Sequence, residues 1–327
     1  MSPTNVYPSC VRGVALRPGL PAVRTTDKRL FVMQQTNQNM SSLTKNQHNV
    51  PAFYLRQWRR EGTDNVVCHD LHASRVFDVS PGNILARRYF YEENAESPDN
   101  RVENVLANME GACSSYFEAL NYLNISRVSY SNEKLCAEQV RNSLTNHVCE
   151  AIKTFAAYQY LRVPGAIDQK RYELTLSELN ELQKDYLLNA GRFVDSGFNH
   201  VKNRFLSLKL LVLMSTGQNF ITSDWPCFDM KDSDSSPLLG EEIGNSPEVV
   251  AYFPLNPRLG VVLYPENHAI HVGSHRMPEA HVIPAVDSIV RNQNTLVIQQ
   301  AEKFVVANTT KDFVFKVAKK RKKSNGA

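Results

Sequence analysis

Between positions 99 and 162 the apolar residues recur at spacings of three and four, and between 206 and 264 that period is lost. Val102, Val105, Leu106, Met109, Cys113, Tyr116 and Leu120 form one stripe, which predicts a helix over 99–123. Val140, Leu144, Val148, Ala151, Phe155 and Tyr158 form a second, over 132–162, closed by Pro164-Gly165. A third helical stretch is expected over 175–205, with candidate breaks at Gly191 and Gly197. The segments 206–214 and 219–222 flank a Ser-Thr-Gly turn and predict a hairpin; 249–253 and 258–264 predict two further strands. Between them, 231–247 is acidic and rich in Ser, Pro and Gly, a loop composition. A last helix over 283–307 and a short strand at 313–315 close the pattern. Upstream, Asn49-Val50-Pro51 marks a helix entry running to Trp58, and 64–69 and 74–79 suit short strands. Helices first and strands later define an α+β class, with a helical N-terminal and middle region packed on a mostly antiparallel sheet from the C-terminal half.

A composition of 42% hydrophobic and 21% charged residues excludes a wholly disordered chain. The formal charge of +4 is unevenly placed. Residues 1–45 carry six basic groups and one acid, and 316–327 carry six lysines and arginines and no acid. These ends hold +5 and +6 of the total, so the remainder stands at −7. A nucleic-acid reading from overall charge therefore belongs to the ends. The organisation expected is an extension over 1–44 (disordered, or upstream of a true start at Met33 or Met40), one α+β domain over 45–315 and a basic tail over 316–327. No run reaches the ~18–20 apolar residues of a membrane helix. Pro3, Pro8, Pro18 and Pro21 oppose an amphipathic transit helix. Six scattered cysteines without a C-x-x-C pair suit reduced thiols in a cytoplasmic protein rather than a disulfide scaffold.

Polar residues on core-facing positions are the informative ones, because burying them is costly unless a network or a function compensates. Glu103 and Glu110 stand two turns apart beside the first apolar stripe, and could hold a divalent metal or divide acid and base roles. Their bland reading is a pair of boundary glutamates matched by Arg or Lys from neighbours. Gln159 and Arg162 continue the face of Val148, Ala151 and Phe155; Arg162 suits a phosphate, a carboxylate or a developing oxyanion, or equally a buried salt bridge to Glu103 or Glu110. Ser223 and Asp224 end a strand at the turn Thr222-Ser223-Asp224-Trp225-Pro226, where turn and cap roles compete with catalysis or metal binding. No G-x-S-x-G surrounds Ser223, which argues against a hydrolase nucleophile. Arg141-Asn142 and His147 resemble the R-N-x4-H arrangement of small helical ribonucleases of the HEPN type. His268, His271, His275 and His281, like Cys68, His69 and His72, lack the short regular spacing of a metal site.

Several segments together resemble a family of bacterial proteins, domain-of-unknown-function family 4238. They are His48-Asn49-Val50-Pro51-Ala52-Phe53-Tyr54-Leu55-Arg56, Glu103 with Glu110, Phe155 to Pro164, Phe220 to Pro226, and Phe253-Pro254-Leu255-Asn256-Pro257. A closing segment around Asn294, Ala301 and Val305 completes the likeness, which covers roughly 45–310. Trp225 departs from the small polar residue more usual there. The resemblance implies a setting among bacterial antiphage defence genes and no settled chemistry. It singles out His48, Arg56, Glu103, Glu110, Gln159, Arg162, Ser223 and Asp224 as polar positions inside its motifs. Two readings follow. In the first the chain is a hydrolase (nuclease or nucleotidase): Glu103, Glu110 and Asp224 hold Mg²⁺ or Mn²⁺, His48 is acid or base, Arg56 or Arg162 clamps phosphate, and Gln159 and Ser223 assist. In the second it is a non-enzymatic sensor of a phage component, and the same residues form a structural polar network.

Overall fold

The computed structural model describes residues 43–91, 96–125, 133–162, 197–230, 250–266 and 280–313, all within the unit spanning Leu43–Ala327. The fold is α+β. Its elements are β1 (Asn46–His48), α1 (Ala52–Leu55) running into a 3₁₀ turn (Arg56–Trp58), β2 (Val66–Asp70), β3 (Arg75–Val79), a 3₁₀ turn (Pro81–Asn83) and β4 (Ala86–Arg88). Then come α2 (Arg101–Ile125), α3 (Glu133–Ser143), α4 (Asn146–Arg162), α5 (Gly197–Ser207), β5 (Lys209–Ser215), β6 (Thr222–Ser223) and β7 (Phe228–Asp229). β8 (Ala251–Asn256), β9 (Leu259–Tyr264), β10 (Ala280–Ala285), α6 (Asp287–Gln300), β11 (Phe304–Ala307) and a 3₁₀ turn (Thr310–Phe313) complete it.

Three sheets form. β1 pairs with β4; β10-β5-β9-β8-β7 make a five-stranded sheet; β3-β2-β11-β6 make a four-stranded one. Every pairing is antiparallel except β10 with β5. The five-stranded sheet is apolar on both faces, and the strand period of two divides its residues between two cores. Leu210, Val212, Met214, Phe253, Val261 and Leu263 face the larger core, shared with α1, α2 and α4. Leu211, Leu213, Tyr252, Val262 and Tyr264 face a second core, shared with Val290 and Val297 of α6. At the centre of the larger core, Phe117 of α2 and Phe155 of α4 meet edge-on at 4.9 Å, and Phe155 reaches Phe253 of β8 at 5.6 Å. Phe53 packs on both helix rings, and Tyr54 stacks on Phe253 at 5.3 Å. Four elements are thereby pinned to one aromatic cluster.

Of the expected α2 stripe, Val102, Leu106, Met109, Cys113 and Leu120 are buried and Val105 and Tyr116 half-buried; Phe117, outside it, is buried as well. The single helix expected over 132–162 is two: α3 ends at Ser143, and Thr145 starts α4, its hydroxyl accepting from the Val148 N–H at 3.4 Å. A hydroxyl that caps a new helix looks like an ordinary helix-surface position in the sequence. The hairpin of 206–214 with 219–222 does not form. β5 pairs with β9 and β10, whereas Thr222 and Ser223 pair with β11 in the other sheet. The chain leaves β5 at Ser215, and the Phe220 N–H bonds to the Pro257 carbonyl at 2.8 Å. The last helix ends at Gln300, and Phe304–Ala307, expected as helix, is the strand β11. Phe313 lies in a 3₁₀ turn rather than a strand. The loop at 231–247, most of the helical stretch at 175–205, and both chain ends lie outside the described residues. Among the described residues, no helix is long and apolar enough to cross a membrane, and the cysteines are free thiols.

Candidate functional site

Arg162, at the last turn of α4, is 1% exposed and reaches three partners. Its Nε donates to the Tyr91 hydroxyl at 2.9 Å, its Nη1 to Glu110 Oε1 at 2.7 Å, and its Nη2 to the His48 carbonyl. The Tyr91 hydroxyl also donates to that carbonyl, at 3.1 Å, so the His48 oxygen takes two donors, one on each lone pair. The Tyr91 N–H is held in turn by Gln47 Oε1 at 2.6 Å. The cluster thus ties β1, the chain after β4, the third turn of α2 and the end of α4. Glu110 is its outlet to solvent, with a side chain 23% exposed.

The electrostatics follow from that packing. Burial alone would lower the Arg162 pKa, but Tyr91 and Glu110 outweigh it and hold the guanidinium charged. Burial raises the Tyr91 hydroxyl, a rise that Arg162 opposes and that the fields of Glu103 and Glu110 add to. His48 is lowered, first by burial and then by Arg162; Glu110 and main-chain bonds at Gly82 and Pro81 pull the other way. Its Nε2 is buried without a hydrogen-bond partner, as are both amide atoms of the fully buried Gln159, one turn before Arg162.

Asp224 lies in a different setting. Oδ1 accepts the Glu302 N–H at 2.9 Å, and Oδ2 accepts those of Lys303 at 2.7 Å and Phe304 at 2.9 Å. The Asp224 N–H bonds back to the Phe304 carbonyl at 3.0 Å. Burial raises its pKa, and the amides that it accepts oppose that rise. Ser223 accepts from the Trp225 N–H at 3.1 Å and donates to the Trp225 carbonyl at 3.0 Å, a closed hydroxyl turn. Nearby, Asn294 of α6 bonds the main chain of Asn219 and Ile221, and Asn256 turns β8 into β9 by accepting from Arg258 and Leu259.

Of the residues singled out in the sequence, His48, Glu110 and Arg162 come together, with Glu103 and Gln159 on the same helix faces. Arg56 is exposed on its 3₁₀ turn and joins none of them. Ser223 and Asp224 serve the main chain around β11. The salt-bridge reading of Arg162 holds, with Glu110 as the partner. Among the described residues no three His, Cys, Asp or Glu side chains gather to hold a metal. With Glu110 bound to Arg162 and Asp224 filled by amides, the three-carboxylate arrangement does not fit Mg²⁺ or Mn²⁺. Arg141 and His147 are exposed and fall on separate helices, so the R-N-x4-H spacing does not share one helix face. His268, His271 and His275 lie outside the described residues. Tyr91 and Gln47 were missed: a tyrosine in a turn, 71 positions from its arginine, carries no spacing signal.

An α+β protein with two cores and a buried arginine–glutamate–tyrosine cluster is what fold and site define. Over residues 46–311 the chain matches the model of a protein family of unknown function, DUF4238, and it belongs to that family. No curated protein and no solved structure matches it.

Proposed function

We propose that the chain is a recognition protein of bacterial antiphage defence, in which the motif residues build a polar scaffold rather than a set of catalysts. The burial of Arg162 among partners from its own fold carries this reading. A guanidinium that must clamp a phosphate needs free donors facing a substrate; this one is 1% exposed and turns an N–H from each of its three nitrogens to Tyr91, Glu110 and the His48 carbonyl inside the fold. Asp224, filled by three main-chain amides, supports it in the same way. The defence setting rests on what the family resemblance implies. The test combines phage challenge with nuclease and nucleotidase profiling in Mg²⁺, in Mn²⁺ and in EDTA. Protection without turnover is the expected result.

A second reading, a hydrolase of nucleic acid or nucleotides, is favoured by the unpartnered His48 Nε2 and by the unpartnered Gln159 amide one turn before Arg162. Turnover that disappears in folded His48→Asn or Gln159→Leu protein would establish it and end the first.

A further inference from the structure

The β1–β4 ribbon carries cations and rings that the Arg162 network does not use. Lys45, Arg87 and Arg88 are exposed, in a body whose net charge is otherwise acidic. Elsewhere on the N-terminal part Arg75 lies over Phe77 at 4.9 Å, whereas Arg59 pairs with Asp64 and Arg60 with Asp78. Arg87 and Arg88 instead lie over aromatic rings, Arg87 over Phe90 at 5.4 Å and Arg88 over Tyr89 at 5.2 Å. Both are within cation–π range. Register places Arg88 opposite Asn46 and Arg87 opposite Gln47, and the Tyr89 N–H bonds to the Lys45 carbonyl at 2.9 Å, which closes the ribbon's end and sets Lys45 opposite Tyr89. Tyr89 holds a left-handed φ of 53°, a conformation that a non-glycine residue keeps only where its surroundings fix it.

We infer that the β1–β4 ribbon docks single-stranded nucleic acid, with Lys45, Arg87 and Arg88 on phosphates and the half-buried Tyr89 ring as a platform for a base. A guanidinium lying on a ring keeps its N–H edge for phosphate oxygens while losing little side-chain freedom. Rings interleaved with cations are what unstacked bases need and what a duplex, offering mainly its phosphates, does not. The inference names a partner class for the recognition role proposed above, and rests on that reading.

The experiment is fluorescence anisotropy of the full chain with a single-stranded oligothymidine and with a duplex of equal length, over a salt series. The double variant Arg87→Ser/Arg88→Ser should weaken single-strand binding at least about tenfold. It should also lower the log–log salt slope by roughly 1.4, about 0.7 for each lost phosphate contact. Tyr89→Leu should cost about tenfold on the single strand and little on the duplex, and Tyr89→Phe should restore it. Replacing Lys319, Lys320, Arg321, Lys322 and Lys323 by Ser should weaken both substrates alike and leave the single-strand preference intact. Wild-type affinity in the double variant overturns the inference, as does equal loss on both substrates in Tyr89→Leu, or binding to anionic phosphatidylserine vesicles but not to the oligonucleotide. If the oligonucleotide effects appear while the double variant still protects against phage, the surface stands and its link to the recognition role fails. If they are absent while the wild-type chain still protects without turnover, the surface falls and the recognition reading stands.

Discussion

Asp224 and Arg162 are both buried charges inside family motifs, and the fold treats them differently. Asp224 ends on main-chain amides alone, two from the link between α6 and β11 and one from the first residue of β11. Arg162 ends mainly on side chains from other elements, one of which, Glu110, keeps contact with water. A carboxylate on backbone donors fixes a local path and is indifferent to what lies beyond it. A guanidinium shared among Tyr91, Glu110 and β1 couples separate elements, and the atoms beside it are incompletely matched. The first is a latch; the second is where a function of this core would reside.

The largest effect is expected at Arg162. Arg162→Leu leaves Glu110 and the Tyr91 hydroxyl without their cation and should destabilise by about 3–5 kcal/mol, toward the lower figure because Glu110 is partly solvated. Chemical denaturation reads this directly. Asp224→Asn should lose about 1.5–3 kcal/mol, since an amide NH₂ turned toward one of three N–H donors leaves it unmatched. Phage protection should survive that change wherever the protein remains folded. Loss of protection at unchanged stability would make Asp224 more than a latch and erase the distinction.

The sequence made some of this legible, and the reason is local. The α2 stripe from Val102 to Leu120 is visible because one helix face meets one core, and Glu110 and Arg162 stand out as polar residues beside such faces. The β5 run is apolar on both faces, so its alternation between two cores cannot be read until those cores exist. The false hairpin at 206–222 arose because neighbouring strands usually pair, whereas β6 belongs to a different sheet. β10 lacks a clear signal: Pro284 interrupts it, and its parallel partner β5 lies some seventy positions upstream (Ala280 opposite Leu210). Asp224 was legible as a polar strand end and not as a latch, because main-chain amides have no residue type.

Gln159 differs from both Arg162 and Asp224, as a buried polar side chain without charge. Both its amide atoms are buried and unmatched on the face that leads to Arg162. Gln159→Leu should therefore keep or raise stability, by about 1 kcal/mol, since a desolvated amide is replaced by an apolar group of similar volume. A thermal melt checks that direction. Protection lost alongside a raised melting temperature would show that the amide is retained for use rather than for folding.

The smallest effect lies in pH. Burial and Arg162 lower the His48 pKa below its usual 6.5, with Glu110 and the main chain at Gly82 and Pro81 opposing them. The folded state then binds the proton less readily than the unfolded chain. Stability is thus complete above about pH 6.5 and declines as pH falls toward and through the folded value. Melting temperatures measured from pH 7.5 down to pH 5 should show this loss in the wild type, and His48→Gln should flatten it. Asp224 contributes with the opposite sign: burial raises its pKa, so acid favours the folded state at that group. A His48→Gln profile parallel to the wild type would remove the imidazole from the Arg162 cluster's electrostatics and leave its carbonyl as the only part of His48 that the cluster uses.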